Sequence, residues 1–136
     1  VAQPEPERKP DPSASRAIVE EAARRCLTKE AKALARAAKK LAGKPQELRA
    51  WVDQFYAQHH ALVARTFAAP LRALGQPIEA VERYARQHCD ESIRAIVGAI
   101  QTDTLDDVIE DFEGERATDI ANQFVEGEDH GNAAAA

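Results

Sequence analysis

Residues 11–41 read DPSASRAIVEEAARRCLTKEAKALARAAKKL, and this stretch decides the fold class. Asp11 before Pro12 is a helix start signal: a capping acid, then a proline where its missing N–H costs nothing. Leu27, Leu34 and Leu41 recur every seven residues, and Val19, Ala23, Cys26 and Ala37 widen the same stripe. At about 100° per residue, Arg25, Lys29, Lys32, Arg36 and Lys39 fall on the opposite side. Gly43 is a stop, with Pro45 beyond it as a second. The spacing predicts a long amphipathic helix over 12–42, with one apolar edge and one basic face.

The pattern repeats along the chain. A second helix is expected over 46–69, with Leu48, Val52, Phe55, His59, Leu62 and Val63 on its apolar face and Trp51 and Phe67 flanking. Pro70 should end or kink it, because the ring removes an amide donor and biases Ala69 away from the helical region. Leu71 to Gly75 then reads as a turn, and Pro77 opens a helix over 77–101 through Ile78, Val81, Ala85, His88, Ser92, Ile96 and Ile100. Thr104 with Asp107 resembles a capping box. Leu105, Val108, Ile109, Phe112, Ile120 and Phe124 line a fourth helix over 104–126, which meets Gly127 at its end. No stretch of five or more residues alternates as a strand would. The expected fold is all-α, an Ala-rich bundle of about four helices over 15–126, with a disordered Pro-rich arm at 1–14 and a flexible tail at 127–136.

Composition agrees. Of 136 residues 44% are apolar, but 28 of those are alanine, and Leu, Ile, Val and Phe together number only 27. Alanine has the best helix propensity and keeps helix surfaces slim, so the core is thin and a large buried-sheet enzyme is not expected. The formal net charge of −5 hides a polarity. Residues 1–50 carry 12 basic and 7 acidic side chains, 51–100 carry 5 and 5, and 101–136 carry 1 and 11. Either the first and fourth helices lie together in one subunit, or the basic face of one copy meets the acidic face of the next. The second arrangement is heterologous and forms a ring if it closes.

No run of eighteen apolar residues occurs, so no membrane span or membrane partner is expected. Pro4, Pro6, Pro10 and Pro12 preclude the apolar stretch of a signal peptide. The chain starts with Val1 and has no methionine, which favours a piece of a longer polypeptide. Cys26 and Cys89 make neither a disulfide framework nor a zinc spacing, and read as buried free thiols.

The search for chemistry yields little. His59 and His88 fall on inward faces of neighbouring helices, the germ of a metal-dependent enzyme. However, adjacent histidines diverge on a helix, so His59 and His60 do not ligate together, and neither His-Glu-x-x-His nor Glu-x-x-His occurs. His59 is expected to be buried and hydrogen-bonded, His60 at the surface. Ser92 lies mid-helix rather than on a sharp turn, and Cys89 diverges from His88. The acids from Asp103 to Glu115 lack the order of a calcium loop. We therefore expect no enzyme, no catalytic residues, no metal, no cofactor and no small-molecule substrate. The candidate functional residues are surface ones: the basic stripe Arg25, Lys29, Lys32, Arg36 and Lys39, facing a neighbouring subunit or phosphates, and an acidic interface of Asp106, Asp107, Glu110, Asp111 and Glu113. Non-specific DNA contact through the stripe is the alternative, in a helical nucleic-acid-associated assembly or scaffolding protein. No aromatic residue interleaves the stripe to stack on bases.

The order of segments is similar to a known family. Ala22-Ala23-Arg24-Arg25-Cys26-Leu27-Thr28-Lys29-Glu30-Ala31-Lys32-Ala33-Leu34 follows a Pro-rich linker. Trp51-Val52-Asp53-Gln54-Phe55-Tyr56-Ala57-Gln58-His59-His60 comes next, then Val63 and the Pro70-Leu71 break. This resembles the C-terminal helical region of tailed-phage and prophage portal proteins, with their Arg-x-x-x-(Arg/Lys)-Glu and Phe-Tyr-x-x-His elements. It covers roughly residues 16–75. The resemblance implies a homo-oligomeric ring at one capsid vertex, a role in capsid assembly and DNA packaging, and crown helices facing the packaged DNA. It implies other head and packaging proteins as partners. The location would be the virion, and the bacterial host cytoplasm during assembly. The family's wing, stem and clip sequences are absent from this chain, and no catalytic residue carries over.

Overall fold

A computed structural model describes residues 12–124. Helix α1 spans Pro12–Lys40, α2 Pro45–Ala73, α3 Ile78–Thr102 and α4 Leu105–Glu113, and a further helix, α5, covers 116–124. No strand occurs among the described residues. The bundle is cyclic in its neighbours: α1 packs beside α2 and α4, and α3 packs beside α2 and α4. Helices α1 and α3 therefore face each other across a diagonal. The arm expected over 1–14 enters the described residues only at 12–14, where α1 has already begun, and the tail over 127–136 lies outside them.

The connections explain where helices stop. Gly43 and Gly75 adopt φ of 77° and 79°, a region open to glycine without the steric cost a Cβ would bring. After α2, the Gly75 amide donates to the Arg72 carbonyl and the Gln76 amide to that of Leu71, each at 2.9 Å. These two bonds make a Schellman closure around the left-handed glycine. After α3 the left-handed position is filled by Asp103, with φ 56°, and the Thr104 amide donates to the Ala99 carbonyl at 2.9 Å.

Two expectations need correction. Pro70 does not end α2, which continues to Ala73. The ring removes one amide donor in the last turns only, and the residues beyond it, Leu71 and Leu74, are buried in the core and hold those turns in place. The fourth helix is broken in two, giving five helices rather than about four. The Gly114 amide turns back to the Asp111 carbonyl at 3.2 Å, and a Cβ on Gly114 would sit 3.1 Å from the Glu110 carbonyl oxygen. Both sides of this break are tied down: Arg24 donates to the Gly114 carbonyl, and Arg116 to Glu91 at 2.7 Å.

The core runs through Leu27 and Leu34 of α1, Val52, Val63, Phe67 and Leu71 of α2, Ile96 of α3 and Phe112 of α4. Each such side chain contributes about 1.5–3 kcal/mol by burial. Buried alanines at 22, 23, 31, 85, 117 and 121 fill the space between these larger groups, so the thin core still closes. The inner face of α2 is rotated from expectation. Tyr56 and Phe67 are buried, whereas Phe55 and Leu62 are only half-buried.

Candidate functional site

The charged faces lie where the periodicity places them. Arg25, Lys29, Lys32, Arg36 and Lys39 are all exposed, as are Asp106, Asp107, Glu110, Asp111 and Glu113. Helix α1 does lie beside α4 within one chain, yet this packing consumes neither face. The polar bonds fastening that corner join Glu20 to the Thr118 hydroxyl at 2.7 Å and Arg24 to the Gly114 carbonyl at 3.3 Å. Arg25 pairs with Glu21 one turn away, at 3.0 Å. Among the described residues, Lys29, Lys32, Arg36 and Lys39 and the five acids take part in no ion pair.

A second constellation lies inside. Glu30, on α1, is wholly buried. The Tyr56 hydroxyl of α2 donates to its Oε1 at 2.6 Å, and His88 Nε2 of α3 bonds its Oε2 at 2.7 Å. His59 Nε2 approaches Oε2 at 3.2 Å, but the alignment is too poor for a hydrogen bond, and that nitrogen is buried without a partner. The expectation of a hydrogen-bonded His59 is thus half corrected: the ring is buried, its Nε2 unsatisfied. What fixes the ring is stacking, since Trp51, Phe55 and His59 follow one another along α2 with centroids 5.0 and 4.9 Å apart. His60 lies near Glu82 at 3.3 Å on the half-exposed side.

Burial alone would raise the Glu30 carboxyl. The charge of His88, the nearby His59 and the bonds from His88 and Tyr56 outweigh burial and hold it at about 2. Burial, with the adjacent carboxylate, pushes the Tyr56 phenol well above its ordinary range. Burial likewise pushes Cys26 and Cys89 up to about 12, Glu30 adding to both. These thiols stay protonated near neutral pH, the opposite of what a nucleophile needs.

Among the described residues no group of three or more His, Cys, Asp or Glu side chains is arranged to hold a metal ion. Glu30, His59 and His88 converge, but the imidazoles close directly on the carboxylate instead of surrounding a common point. The site's chemistry is that of an internal charge held by three side chains from two other helices. Glu30 had a readable signal: it falls inside the apolar stripe between Leu27 and Leu34, where an acid requires partners.

No described helix is long and apolar enough to cross a membrane. No protein-family model, no curated protein and no solved structure matches this chain.

Proposed function

We propose that this chain is a non-catalytic assembly domain that joins copies of itself through oppositely charged faces, the basic one on α1 and the acidic one on α4. In its concrete form it is the C-terminal, crown-side helical part of a tailed-phage portal, one subunit of a ring at the capsid vertex, working with other head and packaging proteins in the virion. The observation that carries this is the lack of any in-chain ion pair between the two exposed faces, although their helices are packed neighbours. A face neutralised inside the subunit would have nothing left to offer a neighbour. Single exposed pairs are worth about 0–1 kcal/mol, but a row of them sets register and selects against like-charged partners.

The two segments that carry the resemblance also pack on one another. Glu30, Tyr56 and His59 belong to these segments, and they meet at one carboxylate.

The alternative, phosphate contact through the same stripe, is favoured by four unpaired cations along one helix face. Charge exchange separates the two. Reversing Arg25, Lys29, Lys32 and Arg36 to Glu should abolish self-association. Adding Lys at Asp106, Asp107, Glu110 and Asp111 should restore it. Intact oligomers that lose DNA binding in the first variant favour the nucleic-acid reading.

A further inference from the structure

The cluster at Glu30 has an outlet. His88 also lines a cavity of about 450 Å³ between the N-terminal half of α3, the end of α2 and α5. Cavities of this size accept small organic ligands. Leu71, Ile120 and Phe124 supply apolar walls, and Tyr84, its ring tilted against Phe67 with centroids 4.6 Å apart, supplies an aromatic one. We propose that this cavity binds a small apolar monocarboxylate, its body against Leu71, Tyr84, Ile120 and Phe124 and its carboxylate held by Arg83. The inference is independent of the assembly reading.

The choice of ligand follows from which polar groups are already committed. Glu91, the one acid in the lining, is taken up by Arg116 at 2.7 Å and by the Gln87 amide at 3.1 Å. Arg83, exposed in the lining, has no ion-pair partner among the described residues. His88 is 4% exposed, and its Nε2 is committed to Glu30, so it forms part of the wall and Arg83 is the group left for an anion. An uncommitted guanidinium above an apolar floor, with the only acid in the lining neutralised, selects an anion with a hydrocarbon body. Arg is suited to a carboxylate because its planar fork matches the two oxygens.

The test is fluorescence titration of the full chain with 2-naphthoate and with its neutral isostere 2-naphthamide. We expect saturable binding of naphthoate with Kd of about 0.1–1 mM, the range for a ligand of that size in a modest site. The amide should bind at least about tenfold more weakly, as for loss of one charge-assisted bond. Arg83→Glu, on the exposed rim, should cut naphthoate affinity at least about tenfold by the same reasoning, and Ala80→Trp, which fills the lining, should abolish saturation. A circular dichroism melt identifies any variant that has not folded, and Arg83→Glu alone then decides. The His88 ring signals should shift on titration. Equal binding of acid and amide, naphthoate binding unchanged in Arg83→Glu, or no saturable binding by the full chain each overturn the proposal.

Discussion

Glu30 and His88 bond at 2.7 Å although they sit on α1 and α3, helices that share no backbone packing. The bond spans the diagonal of the bundle, and with Tyr56 and His59 it ties three helices to one carboxylate. A buried charge of this kind specifies one arrangement of helices, because a slipped bundle leaves it without partners.

Removing that charge should therefore cost far more than a surface change. Glu30→Ala leaves Tyr56 and His88 buried with no acceptor, and we expect a loss of about 3–5 kcal/mol. Glu30→Gln keeps part of the hydrogen bonding and should lose about 1–3 kcal/mol. Urea unfolding measures both.

The same carboxylate sets an acid limit. Its pKa is lowered on folding from 4.5 to about 2, so the folded state binds fewer protons than the unfolded one. Its contribution is fully present above the unfolded value and is lost as pH falls through the folded one. Stability should drop between about pH 5 and pH 2, and Glu30→Gln should flatten that part of the profile. An unchanged slope in the variant would assign acid sensitivity to other carboxylates.

Cys26 and Cys89 should be silent in the folded chain. With both thiols raised to about 12, reaction with a disulfide reagent near pH 8 should follow global unfolding. Its rate should rise with denaturant in step with the loss of helix. A fast phase in native buffer would show that one thiol is reached without unfolding.

The glycines divide by conformation. Gly98 lies exposed inside α3 with nothing within 4 Å of an added Cβ, so Gly98→Ala should stabilise by about 0.5–1 kcal/mol. Gly43→Ala and Gly75→Ala place a Cβ at φ near 78° and should destabilise by about 1–2 kcal/mol each. Thermal melts of the three variants give opposite signs.

Much of the fold was legible in the chain, and the misses have physical causes. The seven-residue spacing of Leu27 and Leu34 and the Pro and Gly punctuation place α1 and α3 to within a residue or two of their observed ends. Pro70 carries a local preference against helix, which the buried Leu71 and Leu74 beyond it override. The break at Gly114 leaves no mark in the hydrophobic pattern, because the apolar spacing on either side, from Phe112 to Ile120, stays in phase across it. The inward placing of His59 and His88 was readable from periodicity. Their shared partner was not, since Glu30 lies 29 and 58 residues away and only packing brings them together. Periodicity also put Phe55 inside; the bond from Tyr56 to Glu30 accompanies the opposite choice.

Association through the opposed faces is best measured by sedimentation velocity of the full chain across ionic strength. Screening shortens from about 30 Å at 0.01 M salt to about 3 Å at 1 M, so contacts between exposed charges weaken steeply over that range. We expect oligomers at low salt that dissociate as salt is raised, and loss of the low-salt oligomer on reversing Arg25, Lys29, Lys32 and Arg36. A strict monomer at every salt concentration and protein loading would contradict assembly through these faces.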